Sequence, residues 1–175
     1  MNDSRYFRYN SRWGEMLAQI NESGALKGLW FTGQKHFPTI IPREIEWIAD
    51  VKCFNSVRKL EAELKAYENG TTDQFTIALE PDGTPFQKEV WHILMQIPYG
   101  TTITYGEISQ KLAERRNLKS MSSQAVGQAV GRNPISIIIP CHRVLGKDGS
   151  LTGYAGGLER KTALLDLERK NIKDL

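Results

Sequence analysis

Ser122-Ser123-Gln124-Ala125-Val126-Gly127-Gln128-Ala129-Val130-Gly131-Arg132-Asn133-Pro134-Ile135-Ser136-Ile137-Ile138-Ile139-Pro140-Cys141-His142-Arg143-Val144 is the stretch on which the fold turns. Its first part reads as a helix started by Ser122 or Ser123 and made almost wholly of small side chains. Each of its glycines weakens a helix by roughly 1 kcal/mol, so their presence needs a reason. Close approach of the helix backbone to another surface supplies one. That surface is either a neighbouring helix or, in a helix-turn-helix unit, a nucleic acid met with Arg132 and Asn133 at the helix end. The polar flanks exclude a membrane dimer built on Gly127-x-x-x-Gly131.

The second part predicts a buried strand, Ile137-Ile138-Ile139, that delivers a thiol beside an imidazole. A Cys-His pair alone is weak, because buried cysteine is commonly a small hydrophobe and neighbours on a strand face opposite ways. The surroundings strengthen it. Asn133-Pro134 makes a rigid bend upstream, Pro140 disturbs the strand just before the thiol, and Gly146 through Gly153 form a loop downstream. A nucleophilic cysteine needs a base, since a free thiol with a pKa of about 8.5 is mostly protonated at neutral pH. His142 is the nearest base, and Glu159 or Glu168 in the C-terminal helix could orient it; spacing does not choose between them.

Outward from this stretch, Thr84-Pro85-Phe86-Gln87 predicts a helix start with a Thr84 cap, Pro85 at the first turn and Gln87 closing a capping box. Phe86, Val90, Ile93, Leu94 and Ile97 form its buried stripe, and Pro98-Tyr99-Gly100 ends it. A short extended piece over 101–104 then leads into a helix from about Tyr105 to Ala113. Upstream, Met16 to Ile20 and Leu26 to Phe31 predict a hairpin turned at Gly24. Ile45, Ile48, Phe54, Val57, Leu60, Leu64 and Tyr67 recur at helical spacing, as either one amphipathic helix or two with a break near Asn55-Ser56. Phe75, Ile77 and Leu79 alternate as in a strand, and Glu80-Pro81-Asp82-Gly83 supplies a turn and a domain boundary, giving domains over 1–83 and 84–175.

A formal charge of +3 on 175 residues is compatible with a polyanionic partner but does not require one. Two cysteines, Cys53 and Cys141, exclude a disulfide-dense scaffold, and with His36 and His92 scattered no zinc cluster is expected. The first residues carry no apolar signal core and no apolar run approaches a membrane span, so a cytoplasmic protein is expected.

From Phe86 to Glu168 the chain resembles the O6-alkylguanine-DNA alkyltransferases. The motifs run in order: Phe86-x-x-x-Val90-Trp91, Ile97-Pro98-Tyr99-Gly100, Thr104-Tyr105-Gly106, Ala125-Val126-Gly127, Arg132-Asn133-Pro134, Ile139-Pro140-Cys141-His142-Arg143-Val144 and Gly153-Tyr154-Ala155-Gly156-Gly157. The portion before them, including Leu29-Trp30-Phe31, is only loosely similar. The resemblance implies an α/β (α+β), RNase H-like N-terminal domain and a mostly helical winged-helix/helix-turn-helix C-terminal domain. It also implies a monomer that flips O6-alkylguanine out of double-stranded DNA and takes the alkyl group irreversibly onto Cys141, without cofactor or metal.

By the same resemblance His142 is a water-mediated base and Glu168 its carboxylate. Asn133 ties the recognition helix to the active-site segment, and Tyr105 turns the phosphate and donates to the leaving purine. Pro140 and Tyr154 are expected as walls of the base pocket, with backbone near Val144 and Ala155 reading the guanine edge. Gln124, Ala125, Gly127 and Arg132 are expected on the DNA side of the recognition helix. Gln124 stands where the family usually has an arginine that fills the vacated stack, and its amide offers hydrogen bonds but no cationic plane. The rivals are a non-catalytic sensor of alkylated bases, whose known relatives lack the cysteine, a helix-turn-helix regulator, and a Cys-His hydrolase.

Overall fold

The computed structural model describes residues 4–39 and 51–172. Three strands, β1 (Arg5–Ser11), β2 (Gly14–Ile20) and β3 (Leu26–Phe31), form an antiparallel sheet in that order. The β2–β3 hairpin matches the expected one, turned at Gly24 with φ of 85° and held by Asn21, whose side-chain oxygen accepts from Ala25 N at 2.9 Å. β1 was not foreseen: Arg5, Arg8 and Asn10 dilute its apolar signal, although Tyr6 and Phe7 are buried.

α1 (Val51–Glu68) runs unbroken through Asn55-Ser56, and Leu60, Leu64 and Tyr67 are buried along it. Polar residues are tolerated on the exposed side of an amphipathic helix, so of the two alternatives there the unbroken helix forms. Ile45 and Ile48 lie outside the described residues. The strand expected at Phe75, Ile77 and Leu79 is reduced to one parallel bridge, Leu79 to Leu26. The reason is competition for one edge of β3: Leu26 pairs with Ala78 and Glu80, whereas Leu29 pairs with Pro134 and Ser136, both at 2.8 Å.

Helices α2 (Pro85–Leu94), α3 (Tyr105–Arg115) and α4 (Ser123–Gly131) come next, then α5 (Leu158–Asn171); β4 (Ile103–Thr104) and β5 (Val144–Leu145) pair in parallel. Both halves of the capping box at Thr84 and Gln87 are made. Thr84→Ala should therefore cost about 1 kcal/mol, read as a lower urea midpoint at unchanged slope. Thr84→Ser, which keeps the acceptor, should cost much less. Trp91, 1% exposed, donates its indole N–H to Ala129 O at 2.9 Å and pins α2 to α4. One buried cluster includes side chains from both sides of Gly83, from Phe7 and Leu29 to Val126 and Leu164. No helix among the described residues is long and apolar enough to cross a membrane.

Candidate active site

The segment after α4 is folded on itself. Ile137 has φ of 72°, Ile138 N donates to Ser136 O at 2.9 Å, Ile139 N to Ile135 O at 3.1 Å, and Cys141 N to Ile139 O at 2.8 Å. These bonds consume the groups a strand would offer to a neighbour, so the strand expected over Ile137-Ile138-Ile139 does not form. Cys141 instead opens a single 3-10 turn, Cys141–Arg143.

Asn133 organises the turn. Its side-chain oxygen accepts from Ile135 N at 2.9 Å, and its amide donates to Ile139 O at 2.7 Å and to the Cys141 sulfur at 3.1 Å. Burial pushes the Cys141 thiol up, opposed by the Asn133 hydrogen bond and by the positive charge of Lys161. Both opposing groups favour the thiolate.

Glu168, wholly buried on α5, gathers five donors. Oε1 takes His142 Nε2 at 2.7 Å, the Tyr67 hydroxyl at 2.7 Å and Arg143 Nη2 at 2.8 Å. Oε2 takes Arg143 Nε at 2.9 Å and Gly100 N at 3.0 Å. Burial alone would raise this carboxyl, but the hydrogen bonds and charge of His142 and Arg143 hold it well below the usual carboxylate range. A carboxylate can only accept, so His142 carries its proton on Nε2. Burial lowers the His142 pKa against the pull of Glu168, so the ring is neutral at pH 7. Its Nδ1 is then a buried lone pair, and it makes no hydrogen bond with the protein.

Lys161 is also fully buried, its ammonium held by Val144 O at 2.6 Å and Thr152 O at 2.9 Å. Burial brings its pKa down to about 8. It fastens the loop after the cysteine to α5 while leaving positive charge near the sulfur.

Above Cys141 lies a cavity of about 240 Å³ whose lining includes Tyr105, Gly127, Gly131, Tyr154 and Ala155. Burial raises the Tyr105 pKa, so its hydroxyl keeps its proton. The two glycines decide how α4 is read. A Cβ at Gly131 would meet nothing within 4 Å, and one at Gly127 only the Tyr105 ring at 3.8 Å. Helix packing does not demand them; Val126, Ala129 and Val130 make the buried face, and the glycines leave room at the cavity.

Cys141, Tyr105, Gly127, Tyr154 and Ala155 thus share one cavity, with Asn133 on the sulfur and Glu168 on His142. Glu159, the other carboxylate in play, is exposed in the first turn of α5. Gln124 and Arg132 are exposed and Ala125 is half-buried, on α4 and its cap. Pro140 does not line this cavity: the 3-10 turn places it in a separate cleft with Tyr99 and Arg143. Val144 is fully buried, and its carbonyl is occupied by Lys161.

Sequence reasoning assigned no role to Arg143, Lys161, Tyr67, Lys35 or His36. Arg143 stood inside the quoted motif, and Tyr67 was read only as one more apolar position of its helix. Lys161, in a charged run, gave no sign of burial. Lys35 and His36 line the cavity from the segment after β3.

A family model described as 6-O-methylguanine DNA methyltransferase, DNA binding domain, matches residues 85–170. The methylated-DNA–protein-cysteine methyltransferase of Methanosarcina barkeri is 47% identical over 161 residues, 91% of this chain and 94% of the relative. The inducible enzyme of that name from Bacillus subtilis is 41% identical over 160 residues, 87% and 86% of the two chains. Among solved structures, the O6-methylguanine methyltransferase of Mycobacterium tuberculosis superposes with a TM-score of 0.74 at 38% identity, over 96% of this chain and 94% of that one. The OGT of the same organism in complex with DNA gives 0.74 at 37% identity, over 95% and 94%.

Proposed function

The chain belongs to the methylated-DNA–protein-cysteine methyltransferase family, and from that premise we propose that Cys141 is the acceptor of an alkyl group taken from O6-alkylguanine in duplex DNA. The protein is a DNA-binding repair methyltransferase of the alkyl-transfer type with an α+β fold. The observation that carries the residue assignment is the buried thiol under the cavity, hydrogen-bonded by Asn133 and followed by a His142 whose tautomer Glu168 fixes.

The proposed reaction is a displacement at the alkyl carbon. His142 Nδ1 takes the thiol proton through a water, becoming an imidazolium beside Glu168. The thiolate attacks the carbon, an S–C bond forms and the C–O6 bond breaks. The electron pair leaves on the purine, where the Tyr105 hydroxyl donates as negative charge develops. The base, too deep to react within the stack, is rotated into the cavity from the minor-groove side, where α4 lies with Gln124, Ala125, Gly127 and Arg132 toward the duplex. The Gly127/Gly131 face, open at the cavity, supports this approach.

Residues 1–83 and 84–175 are proposed as the two domains, the first RNase H-like and the second a winged helix-turn-helix acting as a monomer. The α3 and α4 helices with the β4–β5 pair support the second.

Intact and peptide mass spectrometry after mixing the protein with duplex carrying one O6-methylguanine tests the assignment. One methylene unit on the Cys141 peptide, saturating at one per chain, is expected. Unmodified protein that retains the damaged duplex would favour a sensor, and repeated turnover on a small ester a hydrolase.

A further inference from the structure

The wall of the Cys141 cavity that α4 and the 153–155 loop leave open is closed by Lys35 and His36, from the other end of the chain. The placement is built. Gln34, 7% exposed, accepts from Phe31 N at 2.8 Å and from the Ser136 hydroxyl at 3.2 Å, and its own backbone carbonyl accepts from Phe37 N at 3.2 Å. Lys35 N reaches across to Ala155 O at 3.0 Å, joining this segment to the far wall of the cavity. His36 is held at φ of 62°, a left-handed conformation uncommon for a residue with a Cβ. Both side chains are exposed, and Lys35 makes no ion pair among the described residues.

The rim is electropositive. Burial lowers the His36 pKa, and the charges of Arg132 on the α4 cap and of Lys35 lower it further. At neutral pH the rim therefore presents the Lys35 cation and a neutral imidazole that can still donate one hydrogen bond, with the charge of the exposed Arg132 reaching His36 from the residue next to the lining Gly131. A cavity sized for a base, with cationic donors at its mouth, suits a nucleotide whose base is inside and whose phosphate remains at the edge.

We infer that Lys35 and His36 form, with Arg132, a phosphate-binding rim that holds the backbone of the extruded nucleotide while its base occupies the Cys141 cavity. The inference rests on the extrusion proposed above. It gives the N-terminal portion a direct part in substrate selection: a guanine attached to a strand is favoured over a free one.

The test compares single-turnover alkylation of Cys141 by duplex containing O6-methylguanine with alkylation by free O6-methylguanine base, which has no phosphate. In Lys35→Ala/His36→Ala the ratio of duplex to free-base rates should fall about tenfold, the scale of losing one charge-assisted contact. Lys35→Arg should restore much of it. Equal losses on both substrates would show that the two side chains shape the cavity or the thiol, and unchanged rates on both would show no contact; either overturns the rim. A parent protein that is alkylated by neither substrate removes the extrusion reading itself, a result distinct from both.

Discussion

Arg143→Ala is expected to lower stability by about 3–5 kcal/mol near neutral pH, the usual scale for removing one partner of a buried ion pair. The side chain is 9% exposed, so little of the effect is screened by water. Its guanidinium forks the two oxygens of Glu168, donates to Ile97 O at 2.6 Å and lies 5.6 Å from the centre of the Tyr99 ring. Without it, His142, Tyr67 and Gly100 still bond to Glu168, but no cation balances a carboxylate sealed from solvent. Against a typical domain stability of about 5–15 kcal/mol, the loss is large.

The pH dependence separates charge from packing. Glu168 is held below its ordinary value, so its contribution is fully present above the unfolded carboxylate pKa of about 4.3. It is lost as the pH falls through the depressed folded value. Urea unfolding of parent and variant should therefore show the widest gap near neutrality and a closing gap in acid. A gap independent of pH would mean that Arg143 matters through the Tyr99 contact and the Ile97 bond alone.

The legible part of this fold was the part whose signals are local. The Thr84–Gln87 box, the helix from Tyr105 and the small-residue helix before Asn133 were each set by neighbours within a turn, and each formed where expected. Ile137-Ile138-Ile139 failed because its strand pattern was overruled at a distance: β3 takes Pro134 and Ser136 into its edge, and Asn133 winds the residues beyond them. The same long-range event cost Phe75, Ile77 and Leu79 their strand.

The site divides likewise. Cys141, His142 and Asn133 are close in sequence and carried by a motif, whereas the donors that complete Glu168 are far from it: Tyr67 stands 101 residues away and Gly100 68. A carboxylate with its sequence neighbours Leu164, Leu165 and Leu167 gives no hint that α1 will close over it. Tyr67 therefore makes the relay depend on the packing of the N-terminal helix, and Lys35 brings the segment after β3 to the other side of the same cavity. Both portions of the chain meet at Cys141, which explains why the hydrophobic cluster is continuous between them.

His142→Ala should slow alkyl transfer from duplex by about 10²- to 10⁴-fold at pH 7, the range for removing a positioned general base. Glu168 keeps Tyr67, Arg143 and Gly100, so the carboxylate remains satisfied and charge-balanced; the loss is that of the base. The shape of the pH profile is the sharper sign. In the parent, a neutral His142 accepts the proton, and since burial lowers its pKa the rate should stay level from neutrality down past the ordinary histidine value of about 6.5 before falling in acid. In the variant only the spontaneous thiolate fraction reacts. Burial raises the Cys141 pKa, so that fraction is small at pH 7 and should climb about tenfold for each unit of pH below it. The two profiles then converge as the solution becomes alkaline. Single-turnover rates across the pH range, with damaged-duplex affinity as the check on folding, would show it. A variant that retained the level profile of the parent would mean that His142 does not take the proton, leaving Asn133 and Lys161 as the groups activating the sulfur.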